Sequence, residues 1–175
     1  HFAIRRQRQM CIRDRLKGNV NWMRVHEEEM FDSSYDDMEN LKPVIPEGNS
    51  DSASLDNVFE LLSMSGHSAP LAKLMLIPDA WSKKSKILPN NQLKLFNFLN
   101  STMEPWDGPA ALAGTDNEWV IAASDRNGLR PLRFTITRDK LLFAGSETGM
   151  VDLNEKKIIR KGRLGPGEII GVRIE

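Results

Sequence analysis

One acidic residue in a serine-rich stretch is the position best suited to binding chemistry. Residues 49–57 contain three serines and two aspartates, and Asp51 stands just before apolar residues at helical spacing. The pattern predicts a loop that carries the Asp51 carboxylate to the first turn of a helix. A carboxylate held there can bind a small cationic group, such as an α-amino nitrogen. The alternative is a structural role as a helix N-cap, for which Ser, Asp and Asn are preferred.

Three loop motifs combine glycine or proline with charged side chains, and each is a candidate for holding an anion. They occupy residues 103–109, 125–131 and 161–168. Glycines bring backbone N–H groups close to a ligand, and arginine side chains suit carboxylates. The alternative is ordinary turn chemistry with ion pairs at the surface. None of the three resembles a P-loop or a dinucleotide-binding motif in its context.

The first residues do not resemble native sequence. Residues 5–15 resemble the in-frame translation of an adaptor oligonucleotide used to prepare shotgun DNA libraries. We therefore predict that residues 1–15 are a non-native scar. A basic nucleic-acid-binding arm and an Arg-rich transit peptide are the alternatives, but the stretch has no interleaved aromatic residues and no excess of serine.

Composition excludes several classes of function. The chain has 24 basic and 24 acidic residues, and without residues 1–15 it has 19 and 23, so no nucleic-acid partner is predicted. The only cysteine is Cys11, inside the excluded stretch, so we predict neither a disulfide nor a native thiol nucleophile. His1, His26 and His67 lack metal-ligand spacing, and no metal site is predicted. No apolar run approaches the ~18 residues of a membrane span. We predict a cytoplasmic protein without a membrane partner.

The coarse pattern predicts helices first and strands afterwards. Apolar spacing predicts helices at residues 20–31, 52–64, 69–76 and 91–103, with a lysine-rich loop at 82–86. Alternation and turn residues predict strands at residues 110–114, 119–123, 132–137, 140–144, 156–159 and 168–174. Short connections between successive strands predict an antiparallel meander. Helices segregated from an antiparallel sheet make the predicted class α+β.

Six motifs together point to a known family. The chain is similar to the glutamine amidotransferase domain of glutamate synthase large subunits, with the motifs in the family's order over nearly all of residues 16–175. The motifs are residues 16–23, 49–57, 75–81, 103–109, 125–131 and 161–168.

The resemblance implies a fold and a reaction. The fold is expected to be the N-terminal-nucleophile type, with two antiparallel sheets between helical layers. Such a domain hydrolyses L-glutamine to glutamate and ammonia, using an N-terminal cysteine and an oxyanion hole. Ammonia then reaches a flavin-containing barrel domain and combines with 2-oxoglutarate. FMN, an iron–sulfur cluster, and a small reductase subunit or ferredoxin are expected with the parent protein, not with this chain.

Few of the family's functional groups can be carried over to this sequence. Only Asp51 matches by position, as the acceptor for the α-amino group of glutamine. The nucleophile and the oxyanion groups are expected upstream of Leu16. Residues 16–175 are therefore expected to be a partial domain, truncated at the N-terminus, without catalytic residues and inactive alone. The alternatives are part of another class II glutamine amidotransferase, or a non-catalytic α+β binding module.

Overall fold

The computed structural model describes residues 18, 20–30, 42–79 and 89–174. In these ranges the helices are α1 (Val20–Met30), α2 (Asp51–Met64), α3 (Ala69–Leu76) and α4 (Asn90–Thr102). The strands are β1 (Ala111–Thr115), β2 (Trp119–Ser124), β3 (Arg133–Thr137), β4 (Leu142–Gly145), β5 (Ile158–Arg163) and β6 (Ile169–Arg173). The predicted scar at residues 1–15 and the lysine-rich loop at 82–86 lie outside the described residues.

Local sequence signals account for the helix boundaries. Ser50 caps α2, and Gly66 follows its end with a φ of +89°, a left-handed conformation that glycine adopts without strain. Helix α3 has a proline in its first turn and ends two residues before Pro78. The predicted bounds of α3 are confirmed, and those of α1, α2 and α4 agree within one residue.

The strands form two separate three-stranded antiparallel sheets. The first sheet has the order β1-β2-β6, and the second has the order β4-β3-β5. The two antiparallel sheets of the α+β class are confirmed, but the predicted single meander is wrong. Strand β5 pairs with β3 and not with β4, and β6 returns to β2. Chain connectivity alone does not fix these long-range pairings, because the next strand along the chain can bond to either free edge of a sheet.

The strand predicted at residues 156–159 is wrong in its first half. Asn154 Oδ1 accepts a hydrogen bond from the Lys156 N–H at 3.0 Å and starts a short 3₁₀ turn at Glu155–Lys157. Strand β5 begins only at Ile158. The local bond from an asparagine side chain to the backbone competes with strand pairing at this point.

The described elements pack as three layers. All four helices contribute to one apolar cluster, which covers one face of the first sheet through residues such as Val58, Leu76 and Leu112. A second cluster lies between the two sheets and includes Ala122 of β2 and Phe134 of β3. Within the described ranges, helices therefore cover one outer face of the pair of sheets.

Candidate functional site

The predicted binding residue, Asp51, is the first residue of helix α2. The cap is its neighbour: Ser50 Oγ accepts a hydrogen bond from the Ala53 N–H at 3.2 Å. The Asp51 side chain is half-buried, and among the described residues none donates a hydrogen bond to its carboxylate. The carboxylate lies at a helix N-terminus, where negative charge is favoured, and capping does not occupy it.

The loop that leads to Asp51 is held from two sides. Arg24 on α1 donates from Nε and Nη2 to the carbonyl oxygen of Ile45, at 3.2 Å each. Asn57 on α2 donates from Nδ2 to the carbonyl oxygen of Val44 at 2.8 Å. Ile45 itself is buried in the helical cluster, and Gly48 turns the chain with a φ of +80°. These contacts fix the path of the backbone into α2.

The motif at residues 103–109 contributes side chains to the apolar cluster of the helices. The Trp106 ring is fully buried, and its backbone N–H bonds to the Leu76 carbonyl oxygen at 2.6 Å. Gly18 lies against this ring so closely that a Cβ added there would be 2.0 Å from Trp106 Cε2. The Trp106 Nε1–H is buried and has no hydrogen-bond partner among the described residues. This motif joins the N-terminal segment to α3.

The backbone of the motif at residues 125–131 is held by hydrogen bonds to the side chain of its first residue, Asp125. The fully buried Asp125 carboxylate accepts hydrogen bonds from four backbone N–H groups at 2.9–3.2 Å. The donors are Ala110, Asn127, Leu129 and Arg130. Burial alone would raise the pKa of Asp125, but these hydrogen bonds hold the pKa below its usual value. Asp125 is therefore an anion that belongs to the loop, and the four N–H groups that bind it are already used.

The structure brings the motifs at residues 125–131 and 161–168 together. The Gly167 N–H bonds to the Asp125 carbonyl oxygen at 2.8 Å, and Gly128 packs against the backbone of Pro166. The Ser124 hydroxyl donates to the carbonyl oxygen of Gly165. The two motifs form one unit at the end of the sheets, and no described hydrogen bond or ion pair joins either of them to Asp51.

Sequence reasoning missed Lys73, which ties this unit to helix α3. Its Nζ donates to the Gly167 carbonyl oxygen at 2.9 Å, and the side chain is 2% exposed. Burial lowers the pKa of Lys73 from 10.5 to about 8, although the nearby carboxylates of Asp79 and Asp125 act in the opposite direction. A single cation within an otherwise apolar eight-residue helix was the available signal.

Two classes of feature are absent from the described residues. Within the described ranges, no group of three or more His, Cys, Asp or Glu side chains is arranged to hold a metal ion. No helix in the part of the chain that the structure describes is long and apolar enough to cross a membrane.

Comparison with known proteins gives consistent matches. Residues 13–175 match the family model described as glutamine amidotransferases class-II. The NADPH glutamate synthase large chain of Azospirillum brasilense is 54% identical over 161 residues, 91% of this chain and 11% of that protein. Ferredoxin-dependent glutamate synthase 2 of Synechocystis is 42% identical over 160 residues, which is 90% of this chain and 10% of that protein. The NADH glutamate synthase of Saccharomyces cerevisiae is 43% identical over 157 residues, 88% of this chain and 7% of that protein. The chain thus spans about a tenth or less of the length of these relatives.

Proposed function

Because the chain belongs to the class II glutamine amidotransferase family, we propose that it is part of the glutaminase domain of a glutamate synthase. Such a domain hydrolyses L-glutamine to glutamate and ammonia, and the ammonia is transferred to 2-oxoglutarate elsewhere in the enzyme. The support is the family match over residues 13–175 together with the identity to glutamate synthases of several organisms.

Within this function we propose that Asp51 binds the α-ammonium group of glutamine. The observation that carries this role is the half-buried carboxylate at the start of α2, which accepts no hydrogen bond from the described residues. Ser50 already serves as the cap, so the carboxylate is available to a ligand. The bonds from Arg24 and Asn57 to the preceding loop hold the carboxylate in place before a ligand arrives.

The residues of this chain supply binding and not the covalent step. Cys11 is the only cysteine in the sequence, and it is not the first residue. It also lies within residues 1–15, which we propose are not native. We therefore propose that the 175-residue chain by itself does not hydrolyse glutamine. The catalytic nucleophile and the oxyanion hole of the complete enzyme are expected from other sequence.

The cofactors expected for a glutamate synthase do not fit the residues of this chain. An iron–sulfur cluster is held by several cysteine thiolates, and this sequence contains one cysteine. We place FMN and the cluster of such an enzyme, with its reductase subunit or ferredoxin, outside these residues. A cytoplasmic location agrees with the near absence of cysteine.

The experiment that tests Asp51 uses the complete enzyme that contains this chain. Asp51→Ala is compared with the unchanged enzyme in two reactions, one supplied with glutamine and one with free ammonia. Loss of a charge partner from a partly buried site typically weakens binding by ~2–5 kcal/mol. We expect kcat/KM for glutamine to fall by about a hundredfold or more, while the ammonia-supplied reaction persists. Unchanged glutamine kinetics would remove Asp51 from the site.

A further inference from the structure

The indole N–H of Trp106 is a buried donor that the described residues leave unpaired. The Trp106 side chain is 0% exposed, and its Nε1 has no hydrogen-bond partner among the described residues. A buried tryptophan usually pairs this N–H, because a buried donor that loses its bond to water and gains no other destabilises the fold. The indole N–H therefore indicates an acceptor that lies outside the described residues.

The Trp106 ring is fixed by its surroundings. The main-chain N–H of Trp106 bonds to the Leu76 carbonyl oxygen at 2.6 Å, which holds the residue against the end of α3. The side chain lies in the apolar cluster of the helices, together with Met23 and Met103. A ring that is packed this closely does not turn to find another acceptor. The location of Nε1 is therefore set by the fold.

The Nε1 side of the ring meets the main chain at Gly18. A Cβ added to Gly18 would be 2.0 Å from Trp106 Cε2 and 2.5 Å from Nε1. On the downstream side, the Gly18 carbonyl oxygen already accepts the Val20 N–H at 3.1 Å, and α1 begins there. The carbonyl groups that follow are directed into the hydrogen bonds of the helix. The nearest main chain that can offer a free acceptor is therefore upstream of Gly18.

The native residues upstream of Leu16 are expected to differ from those of this chain, since we predict that residues 1–15 are a scar. Successive Cα atoms are about 3.8 Å apart, so a residue just before Leu16 is at most roughly 11 Å from Gly18. A native segment that enters at Leu16 therefore passes close to the Trp106 ring.

We propose that Trp106 Nε1–H donates to a main-chain carbonyl oxygen of the native segment immediately upstream of Leu16, and that Trp106 is a positioning residue for the catalytic groups of that segment. This inference rests on the proposed function, in which the oxyanion groups lie upstream of Leu16. The bond fixes the segment relative to α1, and Arg24 of α1 holds the loop before Asp51 through the Ile45 carbonyl oxygen. Trp106 thereby sets the spacing between the groups that bind glutamine and those that react with it.

The test replaces Trp106 in the complete enzyme by 3-benzothienylalanine, in which sulfur takes the place of the indole N–H while the ring keeps its shape. Removing a paired donor leaves its acceptor buried and unpaired, so the melting temperature should fall. We expect kcat for glutamine to fall by about tenfold, with KM changed by less than about twofold, because Asp51 is untouched. The reaction supplied with free ammonia should be unchanged.

The same replacement at Trp119 is the matched control, since Trp119 is half-buried at the start of β2 and packs against Gly171. If the indole N–H of Trp106 has no acceptor, its removal should leave the melting temperature unchanged or higher and the glutamine kinetics unchanged. That result overturns the proposal. A lower melting temperature with unchanged kcat, or an equal loss of kcat in the Trp119 control, overturns the positioning role.

A spectroscopic measurement separates this inference from the proposed function. Ultraviolet resonance Raman difference spectra of the unchanged and the substituted enzyme isolate the indole N–H band of Trp106. The frequency of a hydrogen-bonded N–H supports the proposal, and that of a free N–H overturns it, whatever the activity of the enzyme. A bonded indole in an enzyme that does not hydrolyse glutamine would contradict the proposed function, and with it the positioning role, but not the bond.

Discussion

The Nζ of Lys73 donates a hydrogen bond to the carbonyl oxygen of Gly167, a residue 94 positions further along the chain, at 2.9 Å. This bond joins helix α3 to the turn between β5 and β6. Gly167 in turn bonds to Asp125 through its N–H at 2.8 Å. One buried cation therefore connects a helix to both loops at the end of the sheets.

Lys73 gives the folded chain a distinctive response to alkaline pH. Its pKa is lowered from 10.5 to about 8 by burial, so between these values the unfolded chain binds more protons than the folded chain. The free energy of unfolding should therefore rise with pH across this window, by about 3 kcal/mol. Lys73→Met should remove this rise, as measured by urea denaturation at intervals across the window. Lys157→Met, at an exposed ion pair, is the control, and an unchanged slope in Lys73→Met would contradict the prediction.

Among the acidic residues that the structure describes, Asp125 is expected to be the one whose substitution lowers the free energy of unfolding the most. Asp125→Ala leaves four backbone N–H groups without their acceptor. Each buried unsatisfied group costs about 1–3 kcal/mol, so we expect a loss of at least about 3 kcal/mol of unfolding free energy. Asp139→Ala, which breaks only an exposed ion pair with Lys157, should change stability by about 0–1 kcal/mol. Equal effects in the two variants would show that the buried network does not stabilise the loop.

The pKa of Asp125 is held below its usual value, which gives a separate expectation in acid. The stability that Asp125 contributes is present above the unfolded pKa of about 3.9 and is lost as pH falls through the lower folded pKa. Asp125→Asn cannot titrate and should lack this component. Acid denaturation curves of the two proteins, compared with Asp139→Asn, measure it. Parallel curves for the unchanged chain and Asp125→Asn would contradict the assignment.

Substitutions of the neighbouring residues Ser50 and Asp51 should have different effects, because we assign helix capping to Ser50 and ligand binding to Asp51. Ser50→Ala removes the cap bond to Ala53 and should lower stability by about 1 kcal/mol without changing glutamine kinetics in the complete enzyme. Asp51→Ala should show the reverse, with weak effects on the melt and a large loss of kcat/KM for glutamine. Asp51→Asn should be milder, because the amide keeps an acceptor oxygen. A stability loss in Asp51→Ala with normal kinetics would reassign Asp51 to a structural role.

The contact between Gly18 and Trp106 predicts a steric coupling. A Cβ at Gly18 would be 2.0 Å from Trp106 Cε2, so Gly18→Ala should destabilise by about 1–3 kcal/mol. Trp106→Leu creates space, and Gly18→Ala should cost less in that background. A double-mutant cycle from urea denaturation measures this coupling. Additive effects of the two substitutions would mean that the ring does not restrict Gly18.

The purified 175-residue chain should release no ammonia from glutamine above the buffer rate. Cys11 is the only cysteine and is not N-terminal, so no N-terminal thiol is present to attack the side-chain amide. Ammonia release is followed over time, with Cys11→Ala as the matched control. Activity that disappears in Cys11→Ala would contradict this expectation.

Local sequence signals predicted most of the helices and strands. The main error was in which strands pair with each other, because these partners are far apart in the sequence. The bounds of α3 follow from the apolar spacing of residues 69–76 and from Pro78, two residues beyond its end. The partner of β6 was not predictable in this way, because a short strand can pair with any free sheet edge of matching length. At the candidate site, the structure changes which residue is the N-cap. Ser50 and Asp51 are both good capping residues, and only the geometry shows that Ser50 caps the helix.

The contact of Lys73 and Asp125 with Gly167 could not be predicted either, because it too depends on packing between distant parts of the chain. Lys73 and Asp125 are 52 positions apart in sequence, and nothing in either neighbourhood indicates that Gly167 will lie between them. A lysine in an apolar helix and an aspartate before a turn each have an adequate local explanation. Only the packing of α3 against the ends of the sheets brings the groups together.

The way Asp125 holds its loop has a consequence for how this segment tolerates change. Its carboxylate binds only main-chain N–H groups, and every amino acid except proline offers one. The shape of the loop is therefore largely independent of which side chains follow Asp125, apart from Gly128, whose φ of +64° needs glycine. Side chains at Asn127 and Leu129 can be exchanged, by natural drift or by a protein engineer grafting a new recognition sequence, while the backbone keeps its course.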